Sequence, residues 1–304
     1  MKRLTPLLIA LALLGCQSSS NAANPASAPA PAPVAAAASK SSHVFVIVME
    51  NKEYGDVIGS SSAPYVNALA RRYASPTRFY GVSHPSLPNY LALTAGTTFG
   101  VQSDCTDCQQ SGASIVDQLE SAGRSWKTYM GGMPQACFKG ASSGGYAKKH
   151  DPFMYYRRVA DNPARCAKVV PEARLAADLR AGRLPSYGFL APSLCDDTHD
   201  CSVASGDSYL ARIVPPILKG LGPHGFLVLT WDEGSSGTGG GGHIATVIAG
   251  PGVKRGARPA STYNHYSTLR TIEDALGLKH LGHAADAGVK PFGAAFRGGV
   301  PRIR

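Results

Sequence analysis

The sequence predicts an α/β fold with a mostly parallel central sheet flanked by helices. Three observations carry that prediction. Val44-Phe45-Val46-Ile47-Val48-Met49 and Phe226-Leu227-Val228-Leu229-Thr230-Trp231 are continuous, β-rich apolar runs, the pattern of strands buried on both faces. Helical segments alternate with such runs along the chain. Of the 304 residues, 44% are hydrophobic and only 16% charged, enough apolar side chain for one large domain with a real core.

Each element has its own signal. Pro64 to Tyr73 reads as a helix. Asn89 to Thr94 reads as an apolar helix start after Ser86-Leu87-Pro88, with proline near the first turn, where its missing N–H costs nothing. Ser114 to Ser121 is amphipathic and is ended by Gly123. Asp207 to Leu218 is helical, with Pro215-Pro216 expected to bend or split it. Ile244 to Ala249 reads as a third strand, and Tyr266 to Leu276 as a helix capped by Gly277. The 34 glycines and 22 prolines predict many loops. No apolar run reaches the roughly 18 residues of a spanning helix, which excludes a polytopic membrane protein.

Residues 1–16 are expected to be a signal rather than fold. A basic start, Met1-Lys2-Arg3, precedes the short apolar run Leu4 to Leu14 and then Gly15-Cys16. The cysteine directly after glycine makes the segment resemble a bacterial lipoprotein signal, which implies a membrane partner through lipidated Cys16. Gln17 after that cysteine implies the outer membrane and periplasm. Residues 17–42, rich in Ala, Pro and Ser and almost without charge, read as a tether. The folded domain is expected over 43–304.

The net charge is +10, and +8 once Lys2 and Arg3 are removed. That suits anionic substrates or surfaces, but the charges are scattered. The densest basic cluster is Lys290, Arg297, Arg302 and Arg304, and no basic and aromatic interleaving suggests nucleic acid. Beyond Cys16 there are six cysteines, an even number that reads as disulfides in an exported chain. Sequence neighbours suggest Cys105 with Cys108, Cys137 with Cys166 and Cys195 with Cys201.

Two of the apolar strands stop on acids, Glu50-Asn51 and Asp232-Glu233-Gly234. In a parallel sheet this puts the carboxylates at the carboxyl edge, where sites form. Either acid pair alone could merely cap a loop. If the strands are neighbours, the like charges repel unless protons or a cation intervene, and a hard divalent ion suits oxygen ligands. Between the strands, Ser86 precedes a helix whose free N–H groups and dipole favour an alkoxide or a phosphoryl oxygen. Asn89 could donate to a second oxygen. Gly234 to Gly242 is a Gly-rich loop ending at His243. It lacks the lysine and hydroxyl of a P-loop and is expected only to be flexible beside the site. Gly140-Ala141-Ser142-Ser143-Gly144 matches a nucleophile-elbow pattern without the flanking strand and helix, so it is taken as chance.

Six ordered blocks then resemble the phosphoesterase family, the acid phosphatase and phospholipase C-like branch of the alkaline phosphatase superfamily. They are Met49-Glu50-Asn51-Lys52, His84-Pro85-Ser86-Leu87-Pro88-Asn89-Tyr90, Lys149-His150-Asp151-Pro152-Phe153, Thr198-His199-Asp200, Trp231-Asp232-Glu233-Gly234 and His265 to Asp274. The resemblance covers about residues 43 to 280. It implies an alkaline phosphatase-like fold and a divalent cation, whether Mg, Ca, Mn or Zn. Glu50, Asn51, Ser86, Asp232 and Glu233 would hold that cation. Ser86 would be the nucleophile and His199 the proton donor. His84, Asn89, His150, His243 and His265 would contact substrate, a phosphorylated small molecule or a lipid headgroup. A second metal would draw on Asp197, His199, His243 and His265, but their spacing departs from the superfamily pattern, so one metal is expected. Sulfate esters are disfavoured because the arginine that sulfatases carry after Ser-x-Pro is missing. The expected activity is phosphate monoester hydrolysis through a phosphoserine. The alternatives are a phosphodiesterase or phospholipase C-type hydrolase, and a non-enzymatic surface lipoprotein.

Overall fold

The computed structural model describes Met1 and residues 41–303, and every structural statement below concerns those residues. The expected signal peptide, Cys16 and most of the tether lie outside them. In chain order the strands are β1 (Val44–Met49), β2 (Phe79–Tyr80), β3 (Trp126–Met130), β4 (Ser142–Ser143), β5 (Tyr146–Ala147), β6 (Val169–Pro171), β7 (Tyr187–Ala191), β8 (Phe226–Trp231), β9 (Thr246–Ala249) and β10 (Tyr263–Asn264). The helices are α1 (Tyr54–Val57), α2 (Pro64–Arg72), α3 (Ser86–Ala95), α4 (Ile115–Ser121), α5 (Arg157–Ala160), α6 (Pro163–Cys166), α7 (Ala173–Arg180), α8 (Val203–Gly220) and α9 (His265–Leu276).

Six strands form the central sheet in the order β6-β3-β7-β1-β8-β9. All pairings are parallel except β8 with β9. The sheet is covered on both faces, and every residue of β1, β7 and β8 is buried. β1 and β8 run in register from Val44 opposite Phe226 to Met49 opposite Trp231. That register sets the residues after each strand side by side at the carboxyl edge.

β1 and β8 fall where their apolar runs predict them. β9 begins at Thr246 rather than Ile244, because Ala245 instead accepts the Trp231 N–H and Ile244 donates to Phe79. β3 and β7 carry weak sequence signals. Lys127 interrupts one, its ammonium reaching Asp178 at 2.7 Å. Gly188 interrupts the other, and a Cβ there would lie 2.5 Å from the Phe45 ring. α8 is one helix with Pro215 and Pro216 inside it, so the expected split does not occur. It holds because Val214 and Ile217 are buried beneath it and it packs on α2 and α7.

α3 begins at Ser86, three residues before Asn89, so the Ser86 hydroxyl belongs to the first helical residue. Pro88 sits within the first turn, where no intrahelical N–H bond is lost. The disulfides pair as expected: Cys105–Cys108, Cys137–Cys166 and Cys195–Cys201. Such bonds persist in oxidising compartments. Among the described residues no helix is long and apolar enough to cross a membrane.

Candidate active site

Three neighbouring strands deliver acids to one edge. Glu50 follows β1, Asp232 and Glu233 follow β8, and Asp197 lies in the loop after β7. Backbone bonds lock these turns together. Asp232 N–H donates to Met49 at 2.8 Å and Glu50 N–H to Asp197 at 2.8 Å. The Thr198 hydroxyl donates to the Glu50 carbonyl at 2.7 Å and itself receives the Trp231 indole N–H at 3.2 Å. Asn51 turns the chain with φ 55°, a conformation asparagine tolerates better than most residues. Its N–H donates to Asp232 Oδ1 at 3.2 Å. The Cys195–Cys201 bridge closes the loop that carries Asp197 and His199.

α3 points its first turn at this edge. Ser86 is buried, and its hydroxyl donates to Glu50 Oε2 at 3.2 Å. Tyr90, four residues on and therefore on the same helix face, donates to Glu50 Oε1 at 2.5 Å. Asn89 Nδ2 donates to Glu233 Oε2 at 3.1 Å, while its Oδ1 accepts from the N–H groups of Val82 and Ser83. His84 Nδ1 lies 3.2 Å from the same Glu233 oxygen, and its Nε2 faces the Ser236 carbonyl at 2.8 Å. Leu87 N–H, free because it opens the helix, donates to Asp104 Oδ1 at 3.0 Å.

The other histidines divide into two groups. His150 is buried between carboxylates, with Nε2 3.2 Å from Glu50 and Nδ1 3.3 Å from Asp197. The His199 ring centroid lies 5.5 Å from that of His150. Its Nδ1 faces Asp200 at 2.6 Å and its Nε2 faces Lys149 Nζ at 3.2 Å. Lys149 in turn pairs with Asp104 at 3.0 Å. His265 touches the cluster from behind, its Nε2 2.5 Å from the Asp232 carbonyl, in a wholly buried position. His243 is engaged elsewhere: Nε2 faces the Thr77 carbonyl at 3.0 Å and the ring stacks on Tyr54. The Gly-rich loop before it is tied down, because Ser235, Ser236 and His243 all donate backbone N–H bonds to Glu53.

The structure thus gathers Glu50, Ser86, Asn89, Asp232, Glu233, His84, His150 and His199. Asn51 contributes a backbone N–H, His265 contacts a backbone oxygen, and His243 stands apart. Tyr90 and Asp104 also join this cluster, through Glu50 and Leu87, and sequence reasoning assigns them no role. Tyr90 had a signal, the four-residue spacing from Ser86 on one helix. Asp104 had none, since its contacts are long-range.

Electrostatics makes the carboxylate cluster costly as it stands. Burial, then the charges of Asp232 and Asp197, push the Glu50 carboxyl well above its ordinary range. Burial and then Glu233 do the same to Asp232, with the Ser86 hydroxyl pulling the other way. Burial raises Asp197 to about 7 and Glu233 to about 8. Burial, with Lys149 and His199 nearby, pushes the His150 imidazole well down, so it stays neutral. Asp197 Oδ2, Asp232 Oδ2 and His150 Nε2 are buried without a hydrogen-bond partner.

Orphaned oxygens among crowded acids fit a divalent cation, which would neutralise the charge and fill the vacant acceptors. Oxygen donors with a neutral imidazole do not by themselves select one metal. One donor set stands out by compactness: ligand atoms of Glu50, His150 and His199 all lie within 4.8 Å of one another. The resemblance implies substrate contact for His150 and proton donation for His199, which is also among the candidates for a second metal.

Comparison with known proteins identifies the family. The family model described as Phosphoesterase family matches residues 59–279. A phosphatidylinositol-3-phosphatase of Mycobacterium tuberculosis is 32% identical over 291 residues, covering 93% of this chain and 93% of that one. A probable acid phosphatase of Kluyveromyces lactis is 29% identical over 259 residues, 81% of this chain but only 61% of its own length. A solved structure of a protein in the alkaline phosphatase superfamily from Vibrio parahaemolyticus superposes with a TM-score of 0.53. At 16% identity over 79% of this chain and 67% of that one, the likeness is one of fold. With a family match across most of the folded region and a relative similar along nearly its whole length, the chain belongs to the Phosphoesterase family, hydrolases acting on phosphate esters.

Proposed function

We propose that the protein hydrolyses phosphate monoesters through a phosphoserine at Ser86. The observation that carries this is the Ser86 hydroxyl, buried at the first residue of α3 and hydrogen-bonded to Glu50 among converging acids. Glu50, Ser86, Asp232 and Glu233 would hold a divalent cation, with Asn51 orienting Asp232 through its backbone N–H and His150 at the margin. Bound there, a cation supplies positive charge that lowers the cost of the Ser86 alkoxide and of charge on the phosphoryl oxygens.

The chain's own groups do the rest. Ser86 passes its proton to Glu50 Oε2, its hydrogen-bond acceptor, as Oγ attacks phosphorus in line and the bond to the leaving oxygen breaks, while the α3 N-terminus offers N–H groups and a dipole to the equatorial oxygens. Asn89 and Lys149 reach the same oxygens. His199 gives its proton to the leaving oxygen. Asp200 at its Nδ1 fixes the tautomer, and a phosphoryl group drawing Lys149 away frees Nε2. Water then opens the Ser86–phosphorus bond, and the phosphate leaves.

The mycobacterial relative extends the substrate class to phosphate monoesters on lipid headgroups. Lipidation at Cys16 and residence in the outer membrane or periplasm complete this reading. A panel of metals with p-nitrophenyl phosphate and bis-p-nitrophenyl phosphate is the direct test. The Ser86→Ala variant should lose at least about a thousand-fold in kcat, as covalent catalysts do when the nucleophile is removed. Near-wild-type turnover, or a clear preference for the diester, would overturn the proposal.

A further inference from the structure

The opposite edge of the sheet carries a second concentration of chemistry. A cavity of about 720 Å³ is lined by Arg71, Arg72, Arg255 and Arg297 over a floor that includes Leu218 and Val253. No Asp or Glu lines it. Among the described residues, the side chains of Arg71, Arg255 and Arg297 have no ion pair or hydrogen bond, and Arg72 rests its guanidinium 5.4 Å from the Tyr73 ring. Four exposed guanidiniums around one hollow repel each other, and a bound anion removes that repulsion. Arginine's planar fork suits phosphate in particular. An adjoining cavity of about 430 Å³ shares Arg72, Tyr73 and Leu218 and adds Tyr65, Leu69, Pro215 and Lys219. The arginines therefore border an apolar groove, which favours an anion carrying a hydrocarbon stem over a free one.

The topology places this cavity. β9 runs antiparallel to β8, so its last residue, Ala249, pairs with Leu227 near the start of β8. Gly250 and Pro251 after it therefore lie at the edge where the parallel strands begin. The catalytic acids lie where those strands end. The chain also enters the fold at the beginning edge: His43 N–H donates to Leu221 at 2.9 Å, just beyond the end of α8.

We propose that this cavity binds the phosphate headgroup of an anionic phospholipid and seats the protein on an anionic bilayer by the edge opposite the catalytic one. Each basic residue near such a surface strengthens partitioning roughly five-fold, so three together are worth on the order of a hundred-fold.

The test uses the full chain with Cys16→Ser, so that acylation cannot mask the contact, and cosedimentation with phosphatidylcholine vesicles with or without phosphatidylglycerol. Binding should require phosphatidylglycerol and weaken with salt. Arg71→Ala/Arg255→Ala/Arg297→Ala should lower it on the order of a hundred-fold while p-nitrophenyl phosphate turnover stays unchanged. A charge-matched control, Lys139→Ala/Arg157→Ala/Lys279→Ala, should bind nearly as the parent does. Equal binding by the arginine variant, equal loss in the control, or equal binding to pure phosphatidylcholine would overturn the proposal. So would complete release by soluble glycerol phosphate at concentrations matching the lipid headgroup, which would assign the cavity to a soluble phosphate. The arginines lie outside the catalytic set, so none of these outcomes bears on the role of Ser86.

Discussion

Glu50 is the residue on which the site turns. It stands at the end of the central strand, fully buried, and receives Ser86 on one oxygen and Tyr90 on the other. Tyr90 cannot reach the reacting atoms through any contact seen here, so it acts as a positioning residue through Glu50. Tyr90→Phe removes a hydrogen bond to a buried carboxylate, of a kind that contributes about 1.5–3 kcal/mol. The expected result is a ten- to hundred-fold loss in kcat/KM, with a shifted metal dependence that a merely structural loss would not produce. The same crowding fixes a pH signature. Without metal, Asp197 and Glu233 hold protons up to about 7 and 8 in the folded chain, while the unfolded chain releases them in the ordinary carboxylate range. The stability that Asp197 and Glu233 contribute to the chelated protein should therefore fall as pH rises from about 4 to about 8. A cation needs the ionised carboxylates, so its stabilisation should grow over the same interval. Thermal melts with and without chelator across that range check both slopes; parallel curves would mean that no cation binds there. Glu50 and Asp232 are legible in the sequence because each follows a strongly apolar strand, and Ser86 because it opens a helix marked by Pro88. The bridging position of His150 was not, since nothing local connects it to two carboxylates far along the chain.

At the scale of elements, a bridged loop supports α3. The Cys105–Cys108 loop begins beside Asp104, whose carboxylate caps Leu87 in the first turn of α3 and pairs with Lys149. The Cys137–Cys166 bridge ties the segment after β3 to α6 across a sequence separation of 29. Loop-closure entropy makes the longer bridge worth about 3–4 kcal/mol and the shorter, with separation 3, about 2 kcal/mol. Cys137→Ser/Cys166→Ser should thus lower the denaturation midpoint more, whereas Cys105→Ser/Cys108→Ser should cost more activity than stability by loosening Asp104. Equilibrium unfolding and steady-state kinetics on the two variants separate these effects. Three of the elements around the site are the most legible: β1 and β8 are uninterrupted apolar runs, and α9 carries Gly277 in the left-handed conformation that ends it. β3 and β7 escaped notice because each trades an apolar residue for a tertiary contact. Lys127 reaches across to Asp178, and Gly188 makes room for Phe45. The start of α3 is not legible locally because Ser86 and Leu87 take their partners, Glu50 and Asp104, from elsewhere in the chain.

For the molecule as a whole, the polarity of the sheet puts the acid cluster at one edge and the arginine cavity at the other. Strand ends gather acids, because the turns after β7, β1 and β8 meet there in register. Strand beginnings gather the chain's entry point and, across the antiparallel β9, the arginines. The net charge of +10 gave no hint of this, since the arginines are scattered through the sequence and converge only in the fold. If the arginine edge faces a bilayer, the catalytic edge faces the aqueous side, and a lipid headgroup reaches Ser86 only from a facing membrane or as a water-borne phosphate monoester. Protein bound to phosphatidylglycerol vesicles should then hydrolyse p-nitrophenyl phosphate with kcat and KM within about two-fold of the free protein, because no active-site contact is covered. Assays on vesicle-bound and unbound fractions of one preparation measure this directly. Loss of soluble-substrate turnover on binding, recovered on release by salt, would turn the molecule the other way up, with Ser86 and its acids pressed toward the lipid.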